Sequence, residues 1–490
     1  MRKTDRSSIF QGAVLTVSMR WIDRLLGLVS TLILARLLIP EDFGIVAMAS
    51  LVIGLLDVLL DLGVNIALIQ NRNAEQAHYD TAWTLRLIQT LVTAGVVVAT
   101  APFAADYFGD TRVTPVLQLM GIGLILVGLE NIGVVCFQKE MKFHLDFRYL
   151  FLKRLAGFLT TIVAAWFMRS YWALVIGALA GRSFGTILSY LIHPMRPRLS
   201  LQKFDDIFSV SQWMLVRSIG AYLNKNLHMF FVGNRADTAT MGGYSLADQI
   251  SAMPTTELLA PLNRVLFPAF VQARENISEL KRLFLLAQGV QTLAAIPAAV
   301  GLALVAHEAV LILLGEKWLI AVPFVEWLAL GSAFSAIATS GGYILITMGK
   351  VKDAAVVTWA NVALFVIGAL VLSPEAGALD LAKLRLATVV LGLLLALILL
   401  KRTLVNLSSL DMLRTVYRPI IGASAMAVAI GSAPFSSTIA PLVALQLKIG
   451  IGLVVFPATV LFVWWFAGKP EGAERYLLEK AVYITRNFRS

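Results

Sequence analysis

Two apolar stretches near the start of the chain decide its fold. Residues 14–39 read VLTVSMRWIDRLLGLVSTLILARLLI, and residues 44–69 read GIVAMASLVIGLLDVLLDLGVNIALI. A helix needs about 20 predominantly apolar residues to cross a bilayer, and each stretch exceeds that length. Only four residues separate the two stretches, so we interpret them as a hairpin of two membrane-spanning helices.

Both predicted helices carry charges inside the membrane. A helix rises about 1.5 Å per residue, which places Arg20 and Asp61 at matched depths of about 12–13 Å from the membrane surface. Arg24 and Asp57 lie deeper, at about 18–19 Å. A charge at this depth costs about 2.5–3.5 kcal/mol, so such side chains usually face a partner or a water-filled cavity. The hairpin therefore predicts a polar interior within the membrane.

The composition extends this interpretation to the whole chain. The 490 residues are 58% hydrophobic and 14% charged, whereas a soluble domain carries about 25% charged residues. The mean hydropathy is +0.78. We predict 14 spans, at residues 14–39, 44–69, 81–106, 113–137, 150–168, 171–193, 207–233, 242–270, 281–304, 321–348, 353–373, 379–400, 415–433 and 440–467.

Basic residues are concentrated on one side of these spans. The basic side includes Arg2, Lys3, Arg6, Lys139, Lys142, Arg196, Arg198, Lys281, Arg282, Lys401, Arg402 and the tail from Lys469. By the positive-inside rule these segments are cytoplasmic, and so are both termini. The net charge of +11 therefore favours anionic membrane lipids as partners and excludes nucleic acid. The single cysteine, Cys136, excludes disulfide frameworks and multi-cysteine metal sites.

A weak internal repeat predicts the domain organisation. The segment ARLLIPEDFGIVAMASLV in the first hairpin resembles FVGNRADTATMGGYSLADQI about 199 residues later. We therefore predict an all-α integral membrane protein with two pseudo-symmetric six-helix lobes around a central cavity, plus two C-terminal helices. The predicted parts are a cytoplasmic N-terminus at 1–13, an N-lobe at 14–193, a cytoplasmic linker at 194–206, a C-lobe at 207–400, helices 13 and 14 within 401–467, and a basic cytoplasmic tail at 468–490.

A cavity between the predicted lobes would gather charged side chains from their first helices. The predicted cationic, substrate-binding residues are Arg20, Arg24, Arg217, Lys225 and Arg264. Guanidinium groups facing one cavity suit an anionic ligand, because arginine binds phosphate with two hydrogen bonds and stays charged at depth. Arg86 and Arg264 lie about 9–10 Å from the inner face, where long side chains can reach the surface.

The two aspartates leave several roles open. Asp57 and Asp61 form either a structural clamp with Arg20 and Arg24 or a switch that releases those arginines to substrate. Carboxylates in transporters also exchange H⁺ or Na⁺, so a coupling role is a further alternative. We retain them as the candidate coupling or switching carboxylates.

Enzyme signatures are lacking in the sequence. It contains no GxxxxGK[ST], GxSxG or HExxH motif, so ATP hydrolysis, acyl transfer at a nucleophile elbow and zinc proteolysis are not indicated. We predict a protein that is not an enzyme and that uses no cofactor and no metal.

Several segments resemble one known family. They are ARLLIPEDFGIVAMA (Ala35–Ala49), HYDTAWTLR (His78–Arg86), ENIGVVCFQKEMKF (Glu130–Phe143), RSYWALVIGALAGR (Arg169–Arg182), HPMRPRLS (His193–Ser200) and GEKW (Gly315–Trp318). They are similar to the polysaccharide-type oligosaccharide flippases of the multidrug/oligosaccharidyl-lipid/polysaccharide exporter superfamily. The resemblance covers nearly the whole chain and is greatest to the branch that serves colanic acid and similar exopolysaccharides.

The resemblance implies a function. Such proteins carry undecaprenyl-diphosphate-linked oligosaccharide units across the bacterial inner membrane by alternating access, for exopolysaccharide or lipopolysaccharide biosynthesis. It implies H⁺ or Na⁺ as coupling ion and the polysaccharide polymerase and chain-length machinery as candidate partners. Two alternatives remain: a cation-coupled multidrug exporter of the same superfamily, and a non-transporting component of a polysaccharide assembly complex.

Overall fold

A computed structural model describes most of the chain. It covers residues 22 and 24–487, apart from 62, 72, 209–211, 374, 405–406 and 434–438. The predicted cytoplasmic N-terminus and Arg20 therefore lie outside the described residues. The chain divides into two compact units, Met1–Gly242 and Gly243–Ser490. This division falls within the helix Thr238–Gln272, and the predicted lobe boundaries stay a prediction.

The first unit is built from helices. Ten of them lie wholly within it: α1 (24–37), α2 (Pro40–Leu60), α3 (Val64–Gln70), α4 (Gln76–Phe108), α5 (Val113–Gly128), α6 (Val135–Lys139), α7 (Phe143–Met168), α8 (Trp172–Ile192), α9 (Phe204–Phe208) and α10 (Gln212–Arg235). A short 3₁₀ helix, Ile132–Val134, precedes α6. The next helix, α11 (Thr238–Gln272), begins in this unit and continues into the second.

The second unit continues in the same way. After α11 it contains α12 (Ile277–Leu304), α13 (Ala306–Leu313), the 3₁₀ helix Glu316–Ala321, α14 (Val322–Thr347), α15 (Val351–Val371), α16 (Ala378–Thr403), α17 (Ser409–Ser432), α18 (Pro441–Phe466) and α19 (Ala473–Asn487). One of its apolar cores joins α11, α12, α14 and α16 around the fully buried side chains of Phe270, Phe284 and Ile344.

Nine helical segments of the described residues are long and apolar enough to cross a membrane. They are Pro40–Leu60, Gln76–Phe108, Phe143–Met168, Trp172–Ile192, Ile277–Leu304, Glu316–Thr347, Val351–Val371, Ala378–Thr403 and Pro441–Phe466. A bent pair, Val113–Gly128 with Ile132–Lys139, qualifies as a tenth. The predicted all-α membrane fold is thus confirmed, whereas the number of fourteen spans stays a prediction.

The second predicted span is broken, which corrects the sequence interpretation. Residues 44–69 were expected to form one helix, but α2 ends at Leu60 and α3 begins only at Val64. Between them the Asp61 carboxylate accepts a hydrogen bond from the Gly63 amide at 2.8 Å. Gly63 has a φ of 62°, a left-handed conformation that glycine adopts without steric cost. Asp61 therefore lies at a helix break and not on the helix that carries Asp57.

The fourth predicted span is also interrupted. Residues 113–137 were expected to be one helix, but the axis turns by 67° between α5 and the segment Ile132–Lys139. After the two breaks, α3 and the segment Ile132–Lys139 pack together against the first half of α4. Their shared core contains the buried side chains of Val64, Leu68, Tyr79, Leu85 and Ile132.

The start of α11 packs very closely on α2. A Cβ atom added to Gly44 would overlap the backbone carbonyl oxygen of Thr238, and one added to Gly242 would overlap that of Pro40. Small residues allow membrane helices to approach to this distance. Because the obstructing atoms belong to the backbone, neither position can accept a side chain unless a helix moves.

The loop between α4 and α5 adds a polar contact to this region. The side chain of Asp110 is 9% exposed and accepts hydrogen bonds from Arg112 Nη2 and from Thr238 Oγ1, each at 2.7 Å. The hydrogen bonds from Arg112 lower the pKa of Asp110 below its ordinary value of 3.8, while burial opposes them. The carboxylate therefore contributes to stability in its ionised form.

We expect Gly44→Ala to lower the free energy of unfolding by about 1–3 kcal/mol, because the added methyl group overlaps a backbone atom. Gly95 on α4 is the matched control, since an added Cβ there meets nothing within 4 Å. Gly95→Ala should stabilise the helix by about 0.5–1 kcal/mol. Thermal unfolding of the detergent-solubilised variants measures both. Equal stability of the two variants would contradict the close approach.

Asp110→Asn should change how stability depends on pH. A carboxyl group whose pKa is lowered in the folded state stabilises the protein above its unfolded pKa, and this contribution is lost as pH falls through the folded pKa. The wild type should therefore exceed Asp110→Asn in unfolding temperature at pH 7, and the gap should close below about pH 4. Asp106→Asn, at an exposed position on α4, should follow the wild-type curve. A pH-independent gap would contradict the assignment.

Candidate functional site

A buried carboxylate at the bend after α5 holds two cations from other helices. The side chain of Glu130 is 5% exposed. Its Oε2 accepts a hydrogen bond from Arg86 Nη2 of α4 at 3.2 Å, and its Oε1 accepts one from Lys153 Nζ of α7. One carboxylate thus neutralises charges from two helices, and each contact is a charge-assisted hydrogen bond.

A second pair of charges adjoins this cluster. Arg182 on α8 donates from Nη1 to the backbone carbonyl of Met120 at 2.9 Å. Its charge is attracted by both Asp57 and Glu130. Asp57 is repelled by Asp61 and attracted by Arg182 and Arg86. We call Asp57, Arg86, Glu130, Lys153 and Arg182 the first-unit charge cluster.

Glycines bring the helices of this cluster together. Gly177, Gly181 and Gly185 recur every four residues on α8 and form one stripe along the helix. A Cβ atom at Gly181 would lie 3.2 Å from the Cα of Gly157 on α7, and one at Gly185 would lie 2.6 Å from Cδ of Lys153. This is the small-residue pattern that lets membrane helices pack closely. The stripe therefore brings Lys153 and α8 together.

The broken backbone next to Glu130 is satisfied by side chains. The Asn131 amide donates to Ser189 Oγ at 2.9 Å, and Asn131 Oδ1 accepts from the Gly133 amide at 2.9 Å. Asn131 Nδ2 donates to the carbonyl oxygen of Met195 at 2.7 Å. Irregular backbone at membrane depth is tolerated only where its polar groups find such partners. The bend is thus a built feature that fixes the position of Glu130.

The cluster combines a fixed part and an exposed part. Glu130 and its two cations are buried or half-buried, and their charges compensate one another. Asp57 is exposed on α2, while Arg182 is half-buried and forms its hydrogen bond to a neutral carbonyl group. Arg182 therefore differs from Arg86, whose hydrogen-bond partner is the Glu130 carboxylate. A planar guanidinium matches the geometry of a phosphate group.

The structure places the predicted site residues on several helices. Asp57 is exposed on α2, and Arg24 is exposed on α1. Arg217 and Lys225 are both on α10, where Lys225 is exposed, and Arg264 is exposed on α11 in the second unit. The pairing of Arg24 with Asp57 stays a prediction, as does that of Arg20 with Asp61. Arg86 and Arg182 lie within the electrostatic range of Asp57.

Sequence reasoning therefore missed four residues of the cluster. From the sequence, Arg86 is interpreted as a side chain that can reach the inner surface, and no role is assigned to Glu130, Lys153 or Arg182. The sequence does point to three of these four residues, because they are the first or last residues of segments that resemble the family. Arg86 ends one segment, Glu130 begins another and Arg182 ends a third.

A comparison with known protein families shows which family the chain belongs to. The family model described as "Polysaccharide biosynthesis protein" matches residues 33–323, which is more than half of the chain. The chain belongs to this family. The match includes every residue of the first-unit charge cluster and confirms the predicted resemblance.

Curated relatives of the family include biosynthesis and transport proteins. The "Lipopolysaccharide biosynthesis protein WzxC" of Escherichia coli K12 is 26% identical over 330 residues, which cover 66% of this chain and 67% of that protein. The "Succinoglycan biosynthesis transport protein ExoT" of Rhizobium meliloti 1021 is 26% identical over 305 residues, which cover 61% of each chain.

Solved structures show the same fold. The structure titled "Lipid II flippase MurJ, inward closed conformation" superposes with a TM-score of 0.76. The alignment covers 93% of this chain and 99% of that one at 14% identity. The chain therefore has the same helical fold as MurJ.

We expect Glu130→Ala to be strongly destabilising. It would leave Arg86 and Lys153 facing each other without a counter-charge, and removal of one partner of a buried ion pair costs about 3–5 kcal/mol. Glu140 is the matched control, because it pairs with Lys142 at 2.6 Å where both side chains are about half exposed. Glu140→Ala should cost no more than about 1 kcal/mol. Thermal unfolding measures both variants, and similar losses would contradict the network.

Proposed function

We propose that this protein is a flippase for lipid-linked oligosaccharides in polysaccharide biosynthesis. It moves repeat units attached to undecaprenyl diphosphate from the cytoplasmic to the periplasmic leaflet of the bacterial inner membrane, with both termini in the cytoplasm. It transports its substrate without converting it chemically. Membership in the polysaccharide biosynthesis family is the observation that carries the proposal, and the names of the relatives and the transporter fold support it.

The chemistry of the first-unit charge cluster supports an anionic substrate. A diphosphate carries negative charge into the membrane, where bare charge is expensive. Arg86 and Arg182 offer permanent positive charges and hydrogen-bond donors for such a group. In the proposed mechanism the diphosphate replaces Asp57 beside Arg182, while Glu130 keeps Arg86 and Lys153 in position. The sugar part would extend away from these cations.

The other predicted cations contribute to the same proposal. Arg24 on α1 and Lys225 on α10 are exposed side chains of the first unit, and we retain both as substrate-binding candidates. Arg20, Arg217 and Arg264 also remain candidates. These five residues differ from Arg86 in that the proposal for them rests on sequence position, whereas Arg86 has a described ion pair with Glu130.

Coupling to an ion gradient forms a second part of the proposal. Asp57 and Asp61 lie close enough to repel each other, so binding of H⁺ or Na⁺ between them would relieve that repulsion. The same event would weaken the attraction of Asp57 for Arg182 and free this arginine for substrate. Coupling and substrate binding would therefore compete for one set of charges.

A proteoliposome assay with fluorescent undecaprenyl-diphosphate oligosaccharide tests the function. We expect transfer between leaflets above the rate of protein-free vesicles, driven by an H⁺ or a Na⁺ gradient. Loss of one charge-assisted contact of about 1.5–3 kcal/mol in Arg182→Ala should reduce the rate about 10- to 100-fold. Asp57→Asn should retain transfer down a substrate gradient but lose its response to the ion gradient.

The controls separate this function from its alternatives. Arg148→Ala removes an exposed arginine of α7 and should transport at the wild-type rate. No leaflet transfer under either gradient would overturn the flippase function. Uptake of a cationic drug in place of the lipid would instead assign the protein to multidrug export. Arg182→Ala that transports normally would remove Arg182 from the proposed site while leaving the function intact.

A further inference from the structure

The last helix of the chain begins next to the end of a membrane span. The span α18 ends at Phe466, and α19 begins at Ala473 after a turn in which Gly468 has a φ of 83°. The intervening segment is too short to carry α19 far from the bilayer. The positive-inside asymmetry predicts that this is the cytoplasmic surface. α19 is therefore a helix of the inner membrane surface.

The first turn of α19 is fastened to the second unit. Arg418 Nη1 on α17 donates to Glu474 Oε1 at 2.6 Å, and the two side chains are only 5% and 8% exposed. Ala473 packs on Gly289 of α12, where an added Cβ atom would lie 2.8 Å from that of Ala473. Removal of either charged partner would leave a buried charge alone. The beginning of α19 is thus held against α12 and α17.

Beyond this turn α19 exposes apolar side chains. Tyr476, Leu477 and Leu478 are 43%, 42% and 37% exposed. Arg475 and Lys480 lie beside them on the same helix and are also exposed. Apolar side chains flanked by basic ones are typical of helices that lie in the interface of a bilayer. Because α19 begins close to the end of a candidate membrane span, these side chains lie within reach of a membrane surface.

A cavity of about 480 Å³ lies where α19 meets α12 and α17. Four arginines line it, namely Arg282, Arg414, Arg418 and Arg475. Its acidic lining residues are already engaged: Asp411 pairs with Lys281 at 2.7 Å, Glu474 pairs with Arg418, and Glu471 and Glu479 pair with Arg475. The lining acids equal the lining arginines in number, and Arg282 pairs with Glu279 at 2.7 Å, but none of these described ion pairs includes Arg414.

Arg414 is the exposed cation of this cavity that remains available. Within the ranges that the structure describes, it forms no hydrogen bond and no ion pair, although it lies within the electrostatic range of Asp411. The lining also includes Leu285 and Leu286, so the cavity combines a positive charge with an apolar wall. This combination matches a lipid with a charged headgroup and an acyl chain.

We propose that this cavity and α19 together bind an anionic phospholipid of the inner leaflet. Arg414 contacts the headgroup phosphate, Tyr476 lines the same cavity, and Leu478 enters the boundary between the headgroups and the acyl chains. The Arg418–Glu474 pair fixes α19 so that both contacts occur together. The bound lipid would thereby link the membrane surface to α17.

The single cysteine allows a direct test in the full-length protein. Cys136 is buried in the first unit, so Cys136→Ala gives a background in which Leu478→Cys carries one fluorescent probe. The labelled protein is placed in nanodiscs of phosphatidylcholine with increasing phosphatidylglycerol. We expect quenching by brominated lipid to rise with phosphatidylglycerol, and quenching by the neutral aqueous quencher acrylamide to fall. Acrylamide quenching that is unchanged at every lipid composition would overturn the proposal.

Arg414→Ala tests the headgroup contact. One basic residue near an anionic surface contributes about 1 kcal/mol, so this variant should need about fivefold more phosphatidylglycerol for half-maximal quenching. Arg402→Ala, an exposed arginine on α16 that does not line the cavity, should shift the midpoint much less. An equal shift in both variants would indicate a general effect of surface charge and overturn the assigned site. Displacement by inorganic phosphate at constant ionic strength would assign the cavity to free phosphate and overturn it as well.

Discussion

Charge inside an apolar helix bundle is expensive unless a partner is held at hydrogen-bond distance, and the first unit depends on how Glu130 meets this constraint. One carboxylate accepts hydrogen bonds from Arg86 of α4 and Lys153 of α7. Three parts of the unit therefore converge on one group. Glu130 lies at the bend after α5. The backbone groups that the bend leaves without helical hydrogen bonds are bound by the side chains of Asn131 and Ser189.

The same constraint explains why two predicted spans are broken. Helices of uninterrupted apolar residues would satisfy the bilayer but could not present backbone and carboxylate groups at fixed positions. The breaks after α2 and α5 place Asp61 and Glu130 at helix ends, and the short segments α3 and α6 then pack against α4. Discontinuous helices of this kind are found where a transporter binds ions or charged substrates. The helix breaks therefore help to position carboxylates of the charged region.

The two units use buried ion pairs for different purposes. In the first unit two cations share the Glu130 carboxylate, and Arg182, which lies within the electrostatic range of Asp57 and Glu130, donates its hydrogen bond to a neutral carbonyl group. In the second unit the Arg418–Glu474 pair holds a surface helix in place. A cluster with several charges of each sign can exchange partners, whereas an isolated buried pair resists separation because each charge would be left alone. Transport chemistry is therefore proposed for the first arrangement, and membrane docking for the second.

The sequence by itself determined the membrane class, the helical fold and the family, because each depends on hydrophobic length, composition and local motifs that are readable along the chain. It also placed Asp57 within a predicted span. Only the tertiary structure decided which groups meet at Glu130. The sequence gives the depth of a charge along a predicted span but not its direction around the helix axis. The bend after α5 and the close packing of α7 and α8 along the glycine stripe set those directions, so the contacts of Glu130 with Arg86 and Lys153 depend on the packed helices.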